Sequence, residues 1–257
     1  MQVISLGKPT KLFLLLAGFF ITNTIVAEFI GIKIFSLEGS LGISDVHWSL
    51  LGMQGTLQFT AGVLLWPVVF VTTDIINEYF GRRGVRLISY LTAGLILYAF
   101  LMVWIAIGLH PADWWIGQYK ADGIADLQVA FRAVYLQSNW NIAGSMMAFL
   151  LGQLLDAFIF YRVKVKYGGK LWLRALVSTV VSQGVDSYVV LYIAFVIGPQ
   201  KWPINQFLAI GTVNFAYKLV MAVLLLPALY LVHLGIERYL GASDAQKLRN
   251  EALGLSR

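Results

Sequence analysis

Six long apolar stretches limit what this chain can become. They run over about Leu12–Phe35, Leu57–Tyr79, Leu87–Leu109, Asn141–Tyr161, Leu173–Ile197 and Asn205–Leu234. Each is close to or beyond the roughly 20 residues that an α-helix needs to cross a bilayer core. Strands of a membrane barrel would alternate in stretches of about ten residues, whereas these runs are continuous. In lipid every backbone polar group must find its partner within the protein, so continuous runs of this length are helices. The sequence therefore predicts an all-α fold: a polytopic integral membrane protein of about six transmembrane helices, with residues 1–257 as a single transmembrane domain.

Composition agrees. Only 12% of residues are charged and 59% are hydrophobic, against about a quarter charged in a water-soluble domain. Cysteine is absent, which excludes disulfides, thiolate metal sites and a cysteine nucleophile. The net charge of +6 sits in short clusters between apolar runs, not in a stripe alternating with exposed aromatics, so nucleic acid is not an expected partner. At the start, Lys8 and Lys11 precede an apolar run, as in a signal peptide. Asn23 and Glu28 interrupt that run, however, and a first membrane span fits better.

The loops predict orientation. Of nineteen Lys and Arg, Lys33, Lys120, Arg132 and Lys201 fall on one side of a six-span arrangement and Lys218 lies within a span. The other fourteen, in clusters such as Arg82/Arg83/Arg86 and Arg162/Lys164/Lys166/Lys170/Arg174, fall on the opposite side with both termini. Positive residues stay inside, which puts both termini of this multi-pass protein in the cytoplasm. The longest extramembrane piece is expected at His110–Asn139. There Leu127, Phe131, Val134 and Tyr135 recur at helical spacing, predicting an extracytoplasmic amphipathic helix between spans three and four. Gly241–Arg257 reads as a short polar tail that frays.

Function is carried by the polar residues inside the spans, each ionisable one costing ~2.5–3.5 kcal/mol to insert. Asp74, Asn77 and Glu78 share one helix face, with Phe70 one turn and Trp66 two turns before Asp74. Glu78, near the boundary, is equally consistent with an end charge pairing with Arg82 or Arg83. Gln153 and Asp156 stand three apart, as do Gln183 and Asp186, with Ser178 and Ser182 on the latter face. These amides and hydroxyls also suit interhelical hydrogen bonding. Asn214 and Lys218 stand four apart. Lys218 is too deep to reach either interface and needs a buried partner, Asp186 first and Asp156 second. Gly144, Ala148 and Gly152 permit close helix packing. Acidic and amide clusters on both the second and fifth spans are a weak sign of inverted halves.

No zincin, nucleophile-elbow or P-loop motif is present, and His47, His110 and His233 fall in loops or at a span end. No enzyme activity, cofactor or metal is therefore expected. An intramembrane enzyme using the buried carboxylates as acids and bases stays as a remote alternative.

Trp66-Pro67, then Thr73-Asp74-Ile75-Ile76-Asn77-Glu78-Tyr79-Phe80-Gly81-Arg82-Arg83, resembles the signature of the queuosine precursor transporter family, also called the vitamin uptake transporter family. Gly152-Gln153-Leu154-Leu155-Asp156, the stretch Arg174–Ser178 with Gln183 and Asp186, and Lys218 with Pro227 and Tyr230 are similar to it as well. The resemblance covers nearly the whole chain; Trp66 departs from the Phe more common before the proline, which bears on pocket width. It implies a secondary transporter of the cytoplasmic (inner) membrane, importing 7-cyano-7-deazaguanine and 7-aminomethyl-7-deazaguanine. Such a ring offers N–H donors to a carboxylate, a carbonyl to Gln or Asn, and flat faces to Trp66 or Phe70. The expected substrate-binding residues are Trp66, Asp74, Asn77, Glu78, Gln153, Asp156, Gln183, Asp186, Asn214 and Lys218. Which carboxylate meets the ring stays open, as does proton coupling against facilitated diffusion, and a homodimer is compatible with the sequence. The alternative is the substrate-binding subunit of an energy-coupling-factor vitamin importer. Those are also small six-span proteins, although the Ala-x-x-x-Ala of their docking helix is missing from the first span.

Overall fold

The computed structural model describes residues 7–136, 139–167 and 170–253. Helix α1 (Lys8–Ile30) opens with Pro9 in its first turn, where a missing N–H costs nothing. A small outer layer follows: β1 (Ile34–Ser36), α2 (Leu37–Leu41), β2 (Trp48–Leu50), β3 (Met53–Gly55) and β4 (Gln58–Thr60). Strand β1 pairs antiparallel with β4, Phe35 opposite Phe59. Strand β2 pairs with β3 through a turn in which Leu51 and Gly52 both have positive φ, the geometry that matches the twist of a two-residue hairpin. We call residues 31–65 the lid. It is longer than the stretch His110–Asn139 expected to be the longest, and the second span begins at Trp66 rather than Leu57, the residues before it being strand and 3-10 turn.

Helix α3 (Trp66–Gly108) is broken at Gly81, whose φ of 64° and ψ of −173° are non-helical and open only to glycine without strain. The chain doubles back there. Phe80, at the end of the first arm, packs on Phe13 near the start of α1, whereas Phe100, well along the second arm, packs on Phe29 near its end. After α3 come α4 (Asp113–Ile116) and α5 (Leu127–Tyr135), the amphipathic helix expected from the spacing, capped by Asp126 through the Val129 N–H. It sits beside the lid end of the bundle, with Tyr135 against Phe29.

The remaining helices are α6 (Asn139–Tyr167), α7 (Leu171–Leu191, extended by a π turn to Ile197), α8 (Ile204–Leu224), α9 (Leu226–Leu240) and α10 (Ala242–Ala252). What read as one sixth span is thus α8 and α9, interrupted at Leu225 just before Pro227, since proline cannot continue the hydrogen-bond ladder. Among the described residues five helical stretches are long and apolar enough to cross a membrane, and α3, 43 residues long and folded back at Gly81, has two arms to place across it. Leu14, Leu15, Leu87, Leu97 and Trp104 are each at least half exposed. Large side chains so placed belong in lipid.

The core runs along the bundle axis through Phe20, Ile75, Ile76, Tyr79, Phe149, Phe160 and Leu229. Helices α6 and α7 form the most extensive pair. A Cβ on Gly144 would lie 3.0 Å from the Val190 carbonyl, so the small-residue stripe does allow close approach. At the terminal end, where α1 starts and α10 lies, the tail is not frayed. Ala245 is fully buried and Leu248 packs on the core, and a Cβ on Gly81 would meet the Ala252 carbonyl at 2.9 Å. Arg249 pairs with Glu237, and Tyr79 hydrogen-bonds His233 at 2.8 Å, tying α10 and α9 to the break in α3. The tail's last residues, 254–257, lie outside the described residues.

Candidate binding cavity

Toward the lid end a cavity of about 210 Å³ opens between α1, α3, α6, α7 and α8, many times the ~15 Å³ that one water requires. Each helix contributes polar groups from positions set by its path. Helix α1 supplies Glu28 from its last turn. Trp66 stands at the first position of α3. Helix α6 supplies Asn141 and Ser145, α7 supplies Asp186 and Ser187, and α8 supplies Asn214 and Lys218. Thr60 and Val63 of the lid complete the rim.

Lys218 donates to Asp186 across α8 and α7, the pairing that depth alone had singled out. The side chains are only 10% and 15% exposed, and each charge meets the other at the cavity wall. On the facing wall Glu28, 6% exposed, accepts a hydrogen bond from Ser145 on α6. Lys218 also lines a second, narrow crevice of about 20 Å³ with Phe70, Asp74, Thr179, Gln183 and Leu229. The Lys218–Asp186 pair therefore stands between two spaces.

The expected residues divide among three settings. Trp66, Asp186, Asn214 and Lys218 line the cavity; Asp74, Gln183 and again Lys218 line the crevice. Asn77, Gln153 and Asp156 lie in neither lining and form a buried seam between α3, α6 and α7. There Thr73 donates to Gln153 at 2.8 Å, Asn77 donates to the Ala157 carbonyl at 3.1 Å, and Ser182 donates to Asp156 at 3.0 Å. Among the described residues, Asp74 Oδ1, Gln153 Nε2, Asp156 Oδ2 and Gln183 Nε2 are buried without a hydrogen-bond partner. Unmet polar atoms at such density are costly in an interior and mark a place where a solute, water or a moved side chain must complete them.

Glu78 is set apart. It does not pair with Arg82 or Arg83; its Oε2 lies 2.7 Å from Arg174 and 3.0 Å from Lys164, and Lys164 also donates to the Glu78 carbonyl at 2.8 Å. Arg82 stacks instead over Phe158, 5.0 Å from the ring centre. The two cations, which by spacing belonged to a loop, reach inward because their helices α6 and α7 meet at the terminal end. Sequence reasoning missed Glu28, Asn141, Ser145 and Ser187. The signal for Glu28 was present, an acid inside an apolar run, but it read as the end of a span. Among the described residues no group of three or more His, Asp or Glu could hold a metal ion.

A multi-pass helical bundle with a polar cavity toward its lid end and an ion pair in the cavity wall has the build of a small-molecule carrier. Residues 60–232 match the family described as "Putative vitamin uptake transporter", and the chain belongs to that family. It is similar to the queuosine precursor transporter of Escherichia coli K12, with 25% identity over 203 residues, 78% of this chain and 83% of the relative. It is also similar to probable queuosine precursor transporters of Bacillus subtilis 168, 25% identical over 66% of this chain and 70% of the relative, and of Haemophilus influenzae Rd, 25% identical over 72% and 74%. No solved structure gives a significant match.

Proposed function

We propose that the chain carries queuosine precursors, 7-cyano-7-deazaguanine and 7-aminomethyl-7-deazaguanine, from outside the cytoplasmic membrane to the cytoplasm. The observation that carries this reading is the Lys218–Asp186 pair lining a cavity open toward the lid. The names of the three relatives supply the substrate. The cluster of basic residues at the terminal end supports a cytoplasmic position for both termini, so the lid faces outward and the cavity is outward-open.

In this reading a flat bicyclic ring enters beside Trp66, which offers a stacking face, and polar groups of α1, α6, α7 and α8 take its edges. Asp186 and Lys218 each have a hydrogen-bonding group to offer a ring edge once they separate. Their separation opens the way to the crevice bounded by Asp74 and Gln183, whose unmet polar atoms receive the solute next.

The test is uptake of labelled 7-cyano-7-deazaguanine into sealed vesicles containing only this chain. Saturable accumulation is the expected result. No uptake above empty vesicles overturns the proposal, and recovery of uptake only when an ATPase pair is added reassigns the chain to the energy-coupling-factor class. Repeating the assay after collapse of the proton gradient separates proton-coupled transport from facilitated diffusion.

A further inference from the structure

Carriage as proposed requires Lys218 and Asp186 to part, and a buried ammonium is costly to leave without a counter-charge. A second carboxylate lies on its other side. Lys218 lines both spaces, with Asp186 at the wall of the large cavity and Asp74 at the wall of the narrow crevice. Asp74, on the first arm of α3, is 3% exposed, and its Oδ1 has no hydrogen-bond partner among the described residues. Among the described residues lining the crevice it is the one acid, set beside apolar Phe70, Leu225 and Leu229. The other charges whose fields reach Asp74 are engaged elsewhere. Arg174 lies 2.7 Å from Glu78 Oε2, and Asp156 accepts from Ser182 at 3.0 Å in the seam. On α7 the crevice residue Gln183 stands one turn before Asp186, about 4.5 Å along the axis. Rotation of a flexible four-carbon lysine stem covers such a distance.

From this placement we infer that Asp74 is a positioning residue, the second carboxylate for Lys218. The ammonium turns from Asp186 to Asp74 when a solute takes Asp186, and returns when the solute has passed. The pairing stands on the geometry; its use in carriage rests on the transport reading above. An unmet buried oxygen costs free energy, so the crevice draws the ammonium once Asp186 is occupied. In neither position is Lys218 left without a counter-charge, which removes the largest cost of opening the pair. Asp74 keeps its second oxygen, and Gln183 its amide, for the solute that follows.

The experiment is reductive methylation of the full chain in vesicles with formaldehyde and cyanoborohydride, Lys218 being followed by peptide mass spectrometry. An ammonium held by a carboxylate stays protonated and unreactive, whereas a released amine is the nucleophile. Labelling should be low in the unaltered chain, in Asp74→Asn and in Asp186→Asn, because either acid suffices. In the double variant it should rise about tenfold. Thermal unfolding is the second readout, and both single variants should keep midpoints within about 4 °C of the unaltered chain. Labelling in Asp186→Asn as high as in the double variant overturns the assignment, as does low labelling in a double variant that folds. Loss of folded protein in either single variant overturns it too, since the remaining acid should serve; loss confined to the double variant supports it. In uptake of labelled 7-cyano-7-deazaguanine, Asp74→Asn should keep KM within about twofold and lower the maximal rate about tenfold. An unchanged rate overturns the role in carriage. Absence of uptake by the unaltered chain overturns the transport reading instead, while the labelling pattern still decides the pairing.

Discussion

At the terminal end of the bundle Glu78 is closed in by Lys164 and Arg174, each side chain 7% exposed or less, and α10 is seated against the break in α3. At the lid end Lys218 and Asp186 form a pair of the same chemistry, but in the wall of a cavity of about 210 Å³. A buried ion cluster that borders neither the cavity nor the crevice holds helices together; one that borders both can exchange its partner for a solute. The contrast teaches that ionisable residues inside a span do not all announce a binding site. Their surroundings decide, and those depend on how distant helices meet.

The largest effect should follow from Glu78→Ala, which leaves Lys164 and Arg174 facing each other in an apolar setting. Breaking such a cluster costs about 3–5 kcal/mol, and the expected outcome is loss of folded protein in size-exclusion and thermal-unfolding measurements. If Glu78→Ala folds normally and loses only uptake, the contrast between the two clusters is broken. Lys218→Met should do the reverse: water in the cavity can solvate Asp186, so the protein folds, while vesicle uptake falls roughly 30-fold or more. A double exchange, Lys218→Asp with Asp186→Lys, should recover part of that loss if the pairing itself is what matters.

Gly81→Ala sharpens the picture of the closed end. It forces a side chain into a backbone region essentially reserved for glycine and against the Ala252 carbonyl, at about 1–3 kcal/mol, read as a lowered midpoint of thermal unfolding. The smallest effect concerns the lid. Burial pushes the Glu38 carboxyl up, but the N–H of Leu57, with further hydrogen bonds from Ser36 and Val46, outweighs it and holds the group below the ordinary glutamate value. A depressed folded-state pKa gives stability that is present above the unfolded value and lost as pH falls through the folded one. Protease accessibility of the lid should therefore rise on acidification below about pH 4.3, the unperturbed glutamate value. In Glu38→Gln that dependence should be absent.

The crossings were legible because lipid demands long apolar runs, and Leu87–Leu109 or Leu173–Ile197 satisfy that demand openly. Helix α5 was legible from its period, and the partner of Lys218 from depth alone, since a mid-span ammonium has few neighbours to choose from. The lid was not. Its strands are three residues long, and Leu57–Leu65 continues the apolar character of the helix after it, so nothing local marks Trp66 as the start. The tail misled for the opposite reason. Residues 242–252 are polar on average, but Ala245 and Leu248 make one narrow face that only the finished bundle gives something to bury against. Glu28 and Glu78 exchanged apparent roles because distance from a span end says little about which cavity or cation a side chain will meet.

The depth of the cavity has an electrical consequence. In the proposed orientation, water filling the cavity up to Lys218 and Asp186 would carry the outer potential inward, so the membrane voltage would fall across the protein below them rather than across the whole bilayer. A charge crossing that stretch would gather nearly all of the ~2.3 kcal/mol available per 100 mV in one short step. If the lid faces outward and the two deazapurines are the cargo, as proposed, a negative interior would draw the aminomethyl cation through and leave the neutral nitrile indifferent to voltage.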